Sequence, residues 1–484
     1  PTRRSSDLAR GPAALAYGGN AIGGVINVVK NQIPNTIPNR FTGSASLNGK
    51  TVNSEASAAV DVTIPWQNWA ASADLNGRTG DDFATPNATI ENSYLSNTHN
   101  TAGISYVGNN GYVGASVSAY LSDYGVPPDP NGGHPSGVDI EMRKYQVDVR
   151  GERIIDHSFF RNLEARYSFV NYNHVELESN GTLGTEFGKL TTNASISSNT
   201  GGWAFFDGGS IGLWGEIQDY AVRGAQTPDS DLFSTAAYII QEGDAGNFHY
   251  EIGARFEAAQ AQPVEERVSS RIGRIETRSF TGLASSASLI YGITEELFAG
   301  TTVMHSFRAP TLEELYSEGP HLAAYSFEIG NPRLDPERGL GTELFLRYRS
   351  TRLKAELAGY RNSFQNYLYP RDTGEQSISD PALNNYQYVG TEAEFLGVEF
   401  SADLRLLPSL TVGGNITYTR ASRTVNENEQ EVTGFDDDTR PLPMIPPMNG
   451  SLHLNYSLNQ FTATTKMVFA GEQTRLGEFE TQTD

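Results

Sequence analysis

His321 stands in Gly319-Pro320-His321-Leu322-Ala323, between a Phe307-Arg308-Ala309-Pro310 corner and an Asn331-Pro332-Arg333-Leu334 corner. Imidazole is a common zinc ligand and also an axial ligand of haem iron, so one accessible histidine on such a loop could bind either. Glu314 and Glu318 are the nearby carboxylate candidates, although acidic loop residues are common in a chain this acidic. A second candidate pair is His134, which closes Asp129-Pro130-Asn131-Gly132-Gly133-His134, and Asp139 in the Val138-Asp139-Ile140 run that follows. A lone histidine and aspartate trap zinc poorly compared with a histidine cluster, which keeps haem open as a ligand. Tyr367, Tyr369, Tyr386 and Tyr388 suit a ferric siderophore or serve equally as interfacial anchors.

Catalysis finds less support. The chain has no His-Glu-X-X-His motif and no cysteine. Adjacent carboxylates such as Glu265-Glu266 and Glu295-Glu296 would point to opposite faces of a strand, which does not suit a general acid and base. No enzyme activity and no resident cofactor are expected; an outer-membrane hydrolase is the distant alternative.

The elements that must position these side chains are strands. A chain of 484 residues would ordinarily suggest two or three soluble domains, yet 49 glycines, 10% aromatics and no cysteine argue for one large β structure. Without cysteine there are no thiolate metal sites, disulfides or thiol nucleophiles. No stretch approaches the roughly 18 apolar residues of a membrane helix, so this chain can cross a bilayer only as a closed β-barrel. Val113, Ala115, Val117, Ala119 and Leu121 share one face, with Tyr112, Gly114, Ser116, Ser118 and Ser122 on the other. Phe248-to-Phe256, Leu396-to-Leu404 and Leu452-to-Leu458 alternate in the same way, with charged residues recurring in the polar register. Alternation alone would also suit a soluble sandwich, but the recurring charges fit a wet lumen, and runs of about nine or more residues fit a tilted membrane crossing where soluble strands average about five or six.

Roughly nineteen strand candidates fall between residues 41 and 470, joined alternately by short turns and longer polar loops. Gly108-Asn109-Asn110-Gly111 and Gly243-Asp244-Ala245-Gly246 are short turns; longer loops are expected near 77–97, 124–137, 221–231, 259–277, 308–339, 364–388 and 421–447. Trp66, Trp69, Tyr106, Tyr120, Tyr220, Phe307 and Tyr418 lie near strand ends and are candidates for interfacial girdles. A formal charge of −22 and a pI near 4.8 exclude nucleic acid as the expected partner and favour cations.

Residues 10–29 precede these strands and include Arg10, Gly11, Pro12, Tyr17, Gly18, Gly19, Asn20, Gly23, Gly24, Val25, Ile26 and Asn27. Pro12 suits the start of a short helix, and Gly18 and Gly19 suit its end, where positive φ is needed. Gly23 and Gly24 admit a close backbone before a β-forming run. A phosphate loop would run from strand into helix, the opposite order. The segment closely resembles the end of the plug domain of TonB-dependent outer-membrane receptors. The wording from Phe307 to Leu334 resembles a long outer loop of the same family, most of all its zinc-uptake branch. The stretch Ala221-Val222-Arg223-Gly224-Ala225-Gln226 lacks the acidic pair expected of that branch.

The resemblance implies an all-β transmembrane antiparallel barrel behind the C-terminal end of an α+β plug. Residues 1–8 are expected to be a non-native junction, 9–36 the plug's end and 37–484 the barrel. Full-length members close with about twenty-two strands, so the last few strands and most of the plug are expected to lie outside this chain. It implies TonB-dependent uptake of a scarce metal or metal-containing ligand, zinc-like before haem or ferric siderophore. The partners would be TonB with its inner-membrane energising complex, outer-membrane lipid and the small metal-containing solute. A passive porin is the other alternative, but it has no use for a helix-turn-strand module ahead of its barrel.

Overall fold

The computed structural model describes residues 5–9, 11–19, 24–128, 136–155, 157–379, 381–425 and 439–480. Among them, nineteen strands succeed one another as antiparallel neighbours from Thr42–Lys50 to Phe461–Ala470. The order closes into a barrel with the nineteenth strand beside the first. Both are exposed nearly throughout.

The alternation read from the sequence sorts the two faces. Val117 is 56% exposed while its neighbour Ser116 is 3% exposed, and Val113, Ile252, Phe256, Val398, Phe400, Leu452 and Leu454 are exposed in the same register. So many bare aliphatic and aromatic side chains would be unfavourable in water by about 25 cal/mol for each Å², and lie instead against lipid tails.

Turn chemistry separates the barrel's two ends. Two-residue turns at 67–68, 204–205, 246–247 and 459–460 join adjacent strands. Gln67, Ala204, Gly246 and Asn459 there take positive φ, as tight hairpins of right-twisted strands require. One expected turn shifts: Ala245 pairs with Phe248, so Gly246-Asn247 turns the chain. At this end Trp66, Trp69 and Tyr106 are exposed, and the rings of Trp69 and Tyr106 meet edge-on with centroids 5.3 Å apart. They belong to a girdle, whereas Tyr220 and Phe307 do not: both are buried under the long loops.

The longer loops lie at the other end and are shorter than expected. Leu353–Gln376 and Asn384–Leu407 run 24 residues each and keep pairing where a loop was expected over 364–388. Strand pairs this long outlast a membrane crossing of about 9–11 residues and stand clear of the bilayer.

The N-terminal segment lines the lumen. Ser5–Ala9 pairs antiparallel with Val25–Val29, so the expected junction over 1–8 supplies a strand partner. Between them a 3-10 helix, Gly11–Ala16, packs Ala14 and Leu15 against Ile240, Ala284 and Met304 of the wall. Positive φ falls on Gly11 and Gly24, and not on Gly18 or Gly19. Gly19 is needed for another reason. Its carbonyl accepts from the Phe307 amide at 3.1 Å, and a Cβ there would stand 2.7 Å from the Phe307 carbonyl oxygen. Of the other motif residues, Tyr17 receives a hydrogen bond from Asn27; Arg10, Asn20 and Gly23 lie outside the described residues.

The loop over 309–336 crosses the mouth. Thr311 and Glu314 form a capping box that starts the short helix Leu312–Tyr316. A hairpin follows, Glu318–His321 with Ser326–Ile329, turned through Tyr325 at φ 50°. Its second strand pairs in parallel with Asn384-to-Gln387, the outer end of the sixteenth barrel strand. Its turn packs Leu322 and Phe327 against Val138, Ile140 and Leu383. The hairpin is therefore a strap across the barrel's outer end.

Candidate metal centre

The strap brings His321 to the seventh barrel strand, Asn162–Glu178. On that strand His174 and Glu176 are two residues apart and share a face, with His174 paired to Phe187 of the next strand. His321 Nε2 lies 3.4 Å from Glu176 Oε1, and His174 Nε2 lies 3.9 Å from the same oxygen. One ligand atom from each residue falls within 4.8 Å of the other two. A tetrahedral ion that holds N and O ligands at about 2.0–2.2 Å keeps them about 3.3–3.6 Å apart, so the His321–Glu176 pair already stands at ligand spacing and the wider pairs would close by up to about 1.5 Å.

The other ring nitrogens are taken. His321 Nδ1 lies 2.8 Å from Glu328 Oε1, and His174 Nδ1 lies 2.9 Å from the Tyr172 hydroxyl. Phe187 stacks on His174 with centroids 4.5 Å apart and tilts toward His321 at 5.2 Å. Glu176 is fully buried and also accepts from the amides of Leu322 at 2.8 Å and Ala323 at 3.2 Å. One carboxylate thus ties the strap to the wall and faces both imidazoles. Burial works to lower the His321 pKa, but the bond to Glu328 and the charge of Glu176 outweigh it and hold the ring above the ordinary histidine value.

Of the residues singled out in the sequence, His321 is the one in this cluster. Glu318 sits three positions before it on the same strand and so faces the other way; its carboxylate accepts from Ser269 at 2.8 Å. Glu314 is bonded to Arg308 at 2.8 Å and to the Thr311 amide, so it holds the base of the strap. Neither serves as the carboxylate partner of His321; Glu176 and Glu328 do. Asp139 pairs with Leu177, which puts it on the face away from Glu176, where it accepts from the Tyr94 hydroxyl at 3.1 Å. His134 lies outside the described residues.

The outer-loop motif is structural. Arg308 bridges Glu314 and Glu337, Phe307 and Leu334 are buried with Leu315 and Tyr316, and Asn331 caps the turn into Arg333 and Leu334. Ala309 packs against the same cluster and Pro310 and Pro332 are buried beside it. His174 and Glu176 escaped notice in the sequence. The signal available was a His-X-Glu spacing inside an alternating strand, which places both side chains on one face. Gly208-Gly209-Ser210-Ile211-Gly212 spells a nucleophile-elbow pattern, but it lies within the paired strand Phe206–Arg223 and lacks the strand-to-helix turn that such a serine needs.

With a nineteen-strand barrel, a lumenal N-terminal module and a strapped mouth established, the chain also matches the TonB dependent receptor-like β-barrel family over residues 30–482. It belongs to the TonB-dependent receptors. The receptor shares its fold with the copper transporter OprC at 14% identity and a TM-score of 0.80, covering 97% of this chain and 75% of that one. It is similar to the Serratia marcescens hemophore receptor HasR, solved as a double mutant with HasA and heme, at 14% identity and 0.74, with 96% and 78% covered. The siderophore receptor PirA from Pseudomonas aeruginosa matches at 16% identity and 0.67, with 94% and 80% covered. A curated relative, the iron-regulated outer membrane virulence protein of Vibrio cholerae serotype O1, is 28% identical over 151 residues, 30% of this chain and 22% of that protein's length. The receptor is an outer-membrane barrel, and its neighbours carry names with copper, haem and siderophores, so the fold does not select the zinc branch.

Proposed function

We propose that this receptor takes up a divalent transition-metal ion across the outer membrane, receiving it at His174, Glu176 and His321. One observation carries the reading: both Nε2 atoms converge on one carboxylate oxygen at the junction of strap and wall. Two imidazoles and a carboxylate, with no thiolate anywhere in the chain, suit zinc, and the same donors also accept Cu²⁺ or Ni²⁺. The resemblance in the strap wording supports zinc as the first ion to try. Haem fits less well, because His321 Nε2 faces a fully buried carboxylate 3.4 Å away where a porphyrin plane would have to lie.

No covalent step is needed. The strap site would hold the ion, the plug would rearrange beneath it, and TonB with its inner-membrane complex would supply the energy, as in the family. The test is calorimetric titration of the complete receptor in detergent with Zn²⁺, Cu²⁺, haem and a ferric siderophore. We expect micromolar or tighter Zn²⁺ binding, weakened at least about 100-fold in the His174→Ala/His321→Ala double variant. Unchanged Zn²⁺ affinity in that variant would sink the assignment.

A further inference from the structure

We propose that Glu328 and Tyr172 are positioning residues that engage Nδ1 of each imidazole and so aim both Nε2 atoms at the ion site. The inference rests on the metal reading above and adds the groups that aim its ligands.

The strap's ladder pairs Gly319 with Glu328 and His321 with Ser326, so Glu328 and His321 share a face one step apart. Glu328 Oε1 then meets His321 Nδ1 at 2.8 Å. A carboxylate only accepts, so Nδ1 carries a hydrogen, and once the ring is neutral its lone pair is on Nε2, which is turned toward Glu176. On the wall, Tyr172 and His174 are again two residues apart on one face, and the hydroxyl meets Nδ1 at 2.9 Å. With an ion on Nε2, His174 Nδ1 carries the hydrogen and donates to Tyr172 Oη. Phe187 covers one face of the His174 ring. Each ring therefore has one nitrogen occupied, and the remaining nitrogens point to a common oxygen. The two supports differ in strength. A carboxylate raises the basicity of the ring it holds, whereas a phenol only orients it.

The experiment uses the complete receptor and three variants, Glu328→Ala, Glu328→Gln and Tyr172→Phe, each titrated with Zn²⁺ by calorimetry and loaded with Cu²⁺ for pulsed electron paramagnetic resonance. The remote nitrogen of a coordinated imidazole reports its own hydrogen bond, which loosening of the strap alone would not change. We expect Glu328→Ala to weaken Zn²⁺ by about 10–100-fold, Tyr172→Phe to weaken it less, and Glu328→Gln to recover most of the loss because its amide oxygen still accepts from Nδ1. The remote-nitrogen couplings should shift for one imidazole in the Glu328 variants and for the other in Tyr172→Phe. Wild-type binding with all three variants unchanged in affinity and couplings would overturn the positioning role and leave the metal site standing. A wild type that binds no divalent ion would overturn both.

Discussion

At the scale of single residues, His321 sits between two carboxylates, and proton and metal compete for it. Its pKa in the folded molecule is held above the ordinary value of about 6.5, against burial, by Glu328 and Glu176. For a group whose folded pKa is raised, the stabilisation is complete below the unfolded pKa and fades as pH rises through the folded one. The metal-free strap should therefore be held most firmly below about pH 6.5 and loosen as His321 loses its proton. Metal binding carries the opposite sign, because the ring must be free of that proton to ligate. Zn²⁺ affinity of the complete receptor is expected to rise with pH through a midpoint above about 6.5, while protease cleavage within the metal-free strap increases over the same interval. A flat affinity from pH 6 to 8.5 would contradict this account of His321. Glu176 and His174 were not legible as its partners, because Glu176 lies 146 positions from the strap amide it receives and no local pattern spans that gap.

At the scale of elements, the strap was readable in its local parts and unreadable in its placement. Thr311-X-X-Glu314 is a helix-start signature, and the Pro-containing corners do stop the barrel pairing at Arg308 and resume it at Glu337. Glu314 and Glu318 are the acids nearest His321 on its N-terminal side. Nearness along the chain does not make them its partners: strand parity turns Glu318 away and the capping box claims Glu314. Arg308 holds the base of the strap, with Nη atoms 2.8 Å from Glu314 and 3.2 Å from Glu337, both carboxylates being nearly buried. Arg308→Ala would leave two carboxylates facing each other without a cation. Breaking a buried pair costs about 3–5 kcal/mol, and because the Arg308 side chain is 21% exposed we expect about 2–3 kcal/mol of local opening. Hydrogen exchange should show faster opening confined to residues 309–336, with Arg308→Lys intermediate because an ammonium cannot fork between both acids. Equal protection in wild type and Arg308→Ala would refute that role.

At the scale of the whole molecule, the outer surface is a solvent-facing surface for lipid and the inner one for water and the N-terminal module. Val117→Arg places a cation on the lipid face near the middle of its strand and should cost about 2–4 kcal/mol, read as a lowered urea midpoint in lipid vesicles. Gln218→Arg, whose side chain shares the lumenal face with Glu216, should change the midpoint little. A larger loss at Gln218 than at Val117 would mean the faces have been assigned the wrong way round. Period-two alternation, strand length and turn residues are local properties, so long two-faced strands are legible from residue types alone, each needing only its neighbour to satisfy its backbone, and the resemblance of residues 10–29 to a plug's end implied that they close into a barrel. Roughly nineteen strand candidates are legible in the same way, and nineteen strands follow one another among the described residues. The site comes from contacts between strands far apart in the chain. A parallel ladder with the sixteenth strand and a buried glutamate on the seventh stretch the strap across the mouth, and that span places His321 beside His174 and Glu176. Range separates the two: alternation acts over two residues, whereas ligand convergence depends on where a closed sheet brings strands that are distant in the chain.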